Sequence, residues 1–283
     1  MSIYPHQIFA VQKWFVPATL PSMKLTKHLV EKPWGRTDIP AEFGTIRGRR
    51  VGEIWYSADT ETRLPIFVKW LFTSESLSIQ VHPDDAQARE RGMPSGKEEC
   101  WYIVDAEPGA VIGVGTKRSL TREELHAASL SGEIEALVDW KPVKAGDYFY
   151  IPAGTVHAIG AGITLVEVQQ YADITYRLYD YGRDRELHLD DGVAVSSATP
   201  YTDTRSGNAP TGTQLVDGPH FELWYVREID AVPALPSSGN IWITPLSGQV
   251  QTDGEVAAKG DCVVTSANAK ITFSSDAKAL IAF

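Results

Sequence analysis

Between about Val51 and Tyr181 the apolar positions come in short runs separated by turn-prone residues, which is the pattern of strands in a sandwich or barrel. "LPIFVKWLF" and "SLSIQVHP" are two such runs, with "TSES" between them. Within "SLSIQVHPDD" (76–85) the side chains alternate, so Ser78, Gln80 and His82 share one face while Ile79 and Val81 take the other. "ECWYIVDAEPGAVIGVG" reads as a hairpin turning at Glu107-Pro108-Gly109. "DYFYIPAGTVHAI" and "ITLVEVQQ" read as a second hairpin, joined through Gly160 and Gly162. Two stretches have another period. "DDAQARERG" is short, charged and helical in character, and "SLTREELHAASLSGEIEALVDW" carries a capping box at Thr121 and Glu124, with Ile134, Leu137 and Val138 at helical spacing.

Polar "SSATPYTDTRSGNAPTGT" (196–213) interrupts the pattern and reads as a linker. After it, "FELWYVREI", "NIWITPL", "DCVVTSA", "KITFSS" and "ALIAF" predict a smaller β unit over 214–283 whose only histidine is His220. At the other end, residues 1–22 lack the basic start and apolar core of a secretory signal, and "MKLTKHLVEKPWGR" reads as a natural beginning, so 1–22 are expected to be an extension. The expected organisation is thus an extension (1–22), a barrel with a helical insertion (23–195), a linker (196–213) and a smaller β unit (214–283).

Composition narrows the partners. With 26 Lys+Arg against 36 Asp+Glu the formal charge is −10, which argues against nucleic acid. No apolar run is long enough to span a membrane. Cys100 and Cys262 form no disulfide framework, and a reducing cytoplasm is the expected location.

The chemistry-bearing candidates are Gln80 and His82, Glu98 and Glu99 in "SGKEECWYI", and His157 in "GDYFYIPAGTVHAIG". Two imidazoles, a carboxylate and an amide oxygen suit zinc, at roughly 2.0–2.2 Å per ligand, and equally iron, nickel or manganese. "GDYFYIPAGTVH" resembles the second motif of the cupin superfamily, and "QVHPDD" resembles the first with Gln in place of its first His. "EKPWGR", "QVHPDD", "GKEECWYI", "PAGTVHAIG" and "YRLYDYGR", in this order, resemble type I mannose-6-phosphate isomerases of the short bacterial kind. The resemblance implies a cupin jelly-roll barrel, all-β with helical insertions, followed by a smaller cupin-like β unit. It implies Zn2+ held by Gln80, His82, Glu99 and His157, with Lys69, Lys97, Glu167 and Arg177 at other active-site positions and Arg183 a weaker candidate for phosphate. The implied activity interconverts mannose 6-phosphate and fructose 6-phosphate through an enediol. Two departures from the general cupin pattern stand out: a helical insertion before Glu99, and Ala161 where an Asn is usual. An iron- or manganese-dependent cupin oxygenase or decarboxylase, and a non-catalytic sugar-phosphate-binding cupin, are the alternatives.

Overall fold

The structure is a computed structural model, which describes residues 19–58, 64–208, 210–233 and 235–283. Residues 1–18 of the expected extension lie outside the described residues. The chain is all-β with helical insertions. A seven-stranded sheet runs in the order Ser206–Asn208, Asp147–Ile151, Glu99–Ala106, Ile163–Gln170, Ile66–Phe72, Val51–Ser57 and Thr26–Arg36. Facing it is a five-stranded sheet ordered Tyr176–Tyr179, Ile79–Val81, His157–Ile159, Val111–Thr116 and Val138–Pro142. Together they close a jelly-roll barrel. Neither expected hairpin forms. Glu99–Ala106 and Val111–Thr116 belong to different sheets, and so do His157–Ile159 and Ile163–Gln170. The expected turns are present, but in a jelly roll they carry the chain across from one sheet to the other.

The strand Ile66–Phe72 is buried along its whole length because both of its faces are covered. Leu71 points into the barrel, packing with Trp101, Ile103 and Leu165. Val68, Trp70 and Phe72 point out, against Leu223, Tyr225, Trp242 and Leu280 of a third sheet. This accounts for an apolar run with one charge: alternation places Lys69 on the barrel side with Leu71. The third sheet has six strands, ordered Met23–Lys24, Val263–Ser266, Asn240–Ser247, Lys278–Ala282, Glu222–Val226 and Thr213–Asp217. Met23–Lys24 therefore adds to the C-terminal sheet, and Ser206–Asn208, within the stretch read as a linker, adds to the barrel. Phe43 fills the space between the sheets, fully buried, with its ring 4.8 Å from Trp70 and 4.9 Å from Phe72. Phe43→Ala is expected to cost about 3–5 kcal/mol, read as a lower urea midpoint at unchanged slope. A loss below about 1 kcal/mol would show that the sheets close over the hole.

Helices cover the outer face of the five-stranded sheet. Leu125 and Ala128 of Arg122–Ser131 and Val193 of Leu189–Val195 pack on Ile79, Val81, Ala158 and Leu178. The first of these helices starts at the expected capping box, where the Thr121 hydroxyl accepts from the Glu124 N–H and the Glu124 carboxylate accepts from the Thr121 N–H. It ends earlier than the apolar spacing predicts. Gly132, at φ 83°, turns the chain left-handed, Ile134–Leu137 forms a separate short helix, and Val138 already opens a strand. Among the described residues no helix is long and apolar enough to cross a membrane.

Candidate metal centre and its charged surroundings

The polar face of "SLSIQVHP" looks into one end of the barrel. His157 lies directly opposite Gln80 on the neighbouring strand, and Arg177 lies opposite Gln80 on the other side, so the three share one row and one face. His82 follows the same alternation just past the strand end. From the facing sheet comes Glu99, the first residue of its strand and in step with Trp101 and Ile103 on the inner face. His82, Glu99 and His157 are each buried, and one ligand atom from each lies within 4.8 Å of the others. His82 Nε2 is 3.5 Å from Glu99 Oε2, His157 Nε2 is 3.5 Å from Glu99 Oε1, and the Gln80 amide is 3.2 Å from His157 Nε2.

The two 3.5 Å separations match a tetrahedral divalent ion, whose ligands at about 2.1 Å would stand about 3.4 Å apart. The protonation states fit as well. His157 Nδ1–H donates to the Thr155 carbonyl at 2.8 Å, which leaves Nε2 with its lone pair facing Glu99. Burial and then the charge of Lys97 push the His82 pKa down to about 3, with Glu99 opposing, so the imidazole is neutral. Burial also lowers His157. Glu99 is pushed up by burial, yet Lys97 and then His82 hold its carboxyl well below the usual range. Both ring nitrogens of His82 and Glu99 Oε1 are buried without a hydrogen bond, an arrangement that is costly unless something else binds them.

A row of alternating charge extends from this cluster. Lys97 Nζ is 2.8 Å from Glu99 Oε2 and 3.6 Å from Glu167 Oε1, and Lys69 Nζ is 3.3 Å from the same Glu167 oxygen. The Trp101 indole N–H donates to the other Glu167 oxygen at 3.1 Å. Register explains the grouping, since Glu167 lies opposite Lys69 on one side and Trp101 on the other. Lys69, Lys97 and Glu167 are all buried. Burial and then Glu99 raise the Glu167 pKa against the two lysines. Glu167 and Glu99 hold Lys97 protonated in spite of its burial.

Arg177 shares the row of Gln80 but has no carboxylate of this group as a partner. It is half-buried, and its Nε donates to the Glu186 carbonyl at 2.9 Å. Arg183 lies apart, with Nη2 donating to the Ser76 carbonyl at 2.6 Å and 3.0 Å from Asp180 Oδ1, so it clamps two loops. Glu98 faces away from the histidines. One residue escaped the sequence reading. Glu53 in "VGEIWYS" is buried, 3.3 Å from Lys32 Nζ, and accepts from the Trp55 indole N–H. Trp55 in turn pairs in register with Lys69, whose ammonium lies 5.2 Å from the indole centroid. A Glu and a Trp two apart on an apolar strand share a face, as Gln80 and His82 do, but nothing in the sequence says that this face meets Lys69.

No protein-family model matches the chain. The mannose-6-phosphate isomerase of Streptococcus mutans is 33% identical over 248 residues, a match covering 83% of this chain and 75% of that protein. The chain belongs to the mannose-6-phosphate isomerase family. The chain superposes on the crystal structure of the Bacillus subtilis mannose 6-phosphate isomerase with a TM-score of 0.75, at 26% identity, over 93% of this chain and all of the other. A more distant member of the same fold, a zinc-bound mannose 6-phosphate isomerase, gives a TM-score of 0.67 at 14% identity over 93% of this chain and 99% of the other.

Proposed function

We propose that this family member interconverts mannose 6-phosphate and fructose 6-phosphate, with Zn2+ held by Gln80, His82, Glu99 and His157, in the cytoplasm. The observation that carries the reading is the buried His82–Glu99–His157 cluster, joined through Lys97 to a second buried carboxylate, Glu167. For Gln80 a half-turn of the amide brings Oε1 toward His157 and leaves the NH2 to donate to Ser78 Oγ, 3.2 Å from the outer amide atom. The zinc-bound relative supports the choice of metal. When bound, zinc supplies Lewis acidity at the sugar oxygens.

The reaction moves one proton between C2 and C1 while the carbonyl shifts from C1 to C2. Glu167 is the base we assign. It takes the C2 proton of the aldose as the C1 carbonyl becomes an enediolate oxygen; a second proton passes from the O2 hydroxyl to O1, and Glu167 returns the first to C1 as the C2 carbonyl forms. Its raised pKa suits a group that must both take and give a proton. Lys69 and Lys97 keep the carboxylate aimed, and Trp101 fixes its second oxygen. Arg177, on the row of Gln80, stabilises the negative charge on the enediolate oxygen.

A coupled assay of mannose 6-phosphate conversion, with chelator and then with added Zn2+, tests the reading. Turnover lost and then restored is the expected result. No turnover by the zinc-loaded protein would overturn the isomerase assignment. Arg177→Ala is expected to keep its metal and lose about 100-fold in turnover, the scale for one charge-stabilising donor. Near-normal turnover would remove Arg177 from the mechanism.

A further inference from the structure

The three segments that carry His82, Glu99 and His157 are far apart in sequence, and a hydrogen-bonded frame outside the cluster joins them. The His82 carbonyl accepts from Gly154 N–H at 2.8 Å, in the turn leading to His157. One residue on, the Pro83 carbonyl accepts from Lys97 N–H at 3.1 Å. Asp85 Oδ1 accepts from Gly96 N–H at 2.8 Å and from the Gln170 side-chain amide at 3.0 Å. Gln170 and Glu98 close the frame reciprocally, with Glu98 N–H donating to Gln170 Oε1 at 2.9 Å and Gln170 N–H to the Glu98 carbonyl at 3.1 Å. The approach is close enough to require glycine at 96, where a Cβ would stand 2.4 Å from the carbonyl carbon of Asp84.

At the centre of this frame the side chain of Glu98 points the opposite way from Lys97 and Glu99. Alternation turns it to the outer face of the sheet, where Tyr150 Oη donates to its Oε2. Tyr150 also lies outward, because it pairs in register with Cys100. The Arg205 guanidinium sits 3.9 Å above the Tyr150 ring, held by Asp203 at 2.6 Å. His220 Nε2, the sole histidine of the C-terminal unit, is 3.9 Å from Glu98 Oε1.

We propose that Glu98 is a positioning residue for the metal centre: held by Tyr150 Oη on the outer face of the sheet, it sets the Lys97–Glu99 segment and with it the aim of Glu99. This rests on the metal reading above. Zn2+ affinity, measured by competition with a chromophoric chelator, tests it on the wild type, Glu98→Ala, Glu98→Gln and Tyr150→Phe. Losing a group hydrogen-bonded to a metal ligand costs about 10- to 100-fold in affinity, and because Glu98 acts on Glu99 only through the chain, the low end, about 10-fold, is expected for Glu98→Ala. Tyr150→Phe should also weaken binding, while Glu98→Gln, whose amide oxygen still accepts from Tyr150, should recover to within about threefold of the wild type. A purely structural contribution would lower the melting temperature and leave zinc affinity alone. Wild-type affinity in both Glu98→Ala and Tyr150→Phe would overturn the proposal, as would Glu98→Gln binding no better than Glu98→Ala. A wild type that binds no zinc would overturn the metal reading itself, and this proposal with it.

Discussion

His157→Ala will be recovered folded, without bound zinc, and with turnover lowered by at least about 10³-fold. The magnitude follows from losing a Lewis acid worth several kcal/mol of charge stabilisation, since about 4 kcal/mol corresponds to roughly 10³ in rate. Folding should survive because the apolar packing that joins the barrel to the C-terminal sheet, through Trp70, Phe72, Tyr225 and Trp242, lies on the outer face of the barrel, away from His157. The loss cannot be made good locally. His157 is the meeting point of the Gln80 amide and Glu99 Oε1, and its Nδ1–H is already committed to the Thr155 carbonyl. His82→Ala should behave in the same way, because His82 Nε2 bears the same 3.5 Å relation to the other Glu99 oxygen. Metal analysis on protein purified without added zinc, followed by assay with zinc restored, measures both effects. Full metal occupancy in either variant would remove that residue from the ligand set.

Period-two alternation grouped Gln80 with His82 on one face. The preference for Glu99 over Glu98, and the naming of Lys69, Lys97, Glu167 and Arg177, came from the family resemblance, because alternation separates two neighbours without saying which of them faces the barrel interior. Alternation failed where the answer depended on which strands meet. The turns at Glu107-Pro108-Gly109 and at Gly160 and Gly162 are real, but local turn chemistry does not say whether the next strand pairs with the last or crosses to the facing sheet. The helix Leu189–Val195 went unread because its seven residues include Gly192 and only a short apolar stripe. Packing against Leu178 holds it, which is tertiary information. Glu53 went unread for a related reason. A lone carboxylate on an apolar strand gains meaning only once Trp55 is seen in register with Lys69. Lys69 and Glu167, in turn, lie nearly 100 residues apart and are partners only because their strands are neighbours.

That pairing makes Glu167→Gln the most informative second variant, because its effects on rate and on stability point to different causes. The substitution keeps an acceptor for the Trp101 indole N–H and removes the negative charge and the basicity. Turnover is expected to fall about 10²- to 10⁴-fold, the range for a general base, with zinc content unchanged because Glu167 is not among the ligands. Stability is expected to fall too. Lys69 loses a carboxylate at 3.3 Å while remaining buried between the rings of Trp55 and Phe67, and breaking a buried pair from one side costs about 3–5 kcal/mol. Lys97 is better protected, since Glu99 remains 2.8 Å away. Adding Lys69→Met to Glu167→Gln replaces the stranded ammonium with an apolar chain of similar length, so the double variant should regain much of the lost stability. Its turnover should stay at least as low as that of the single variant, because no base has been restored. If activity instead returns along with stability, Glu167 serves to neutralise Lys69 and the proton is carried by another group.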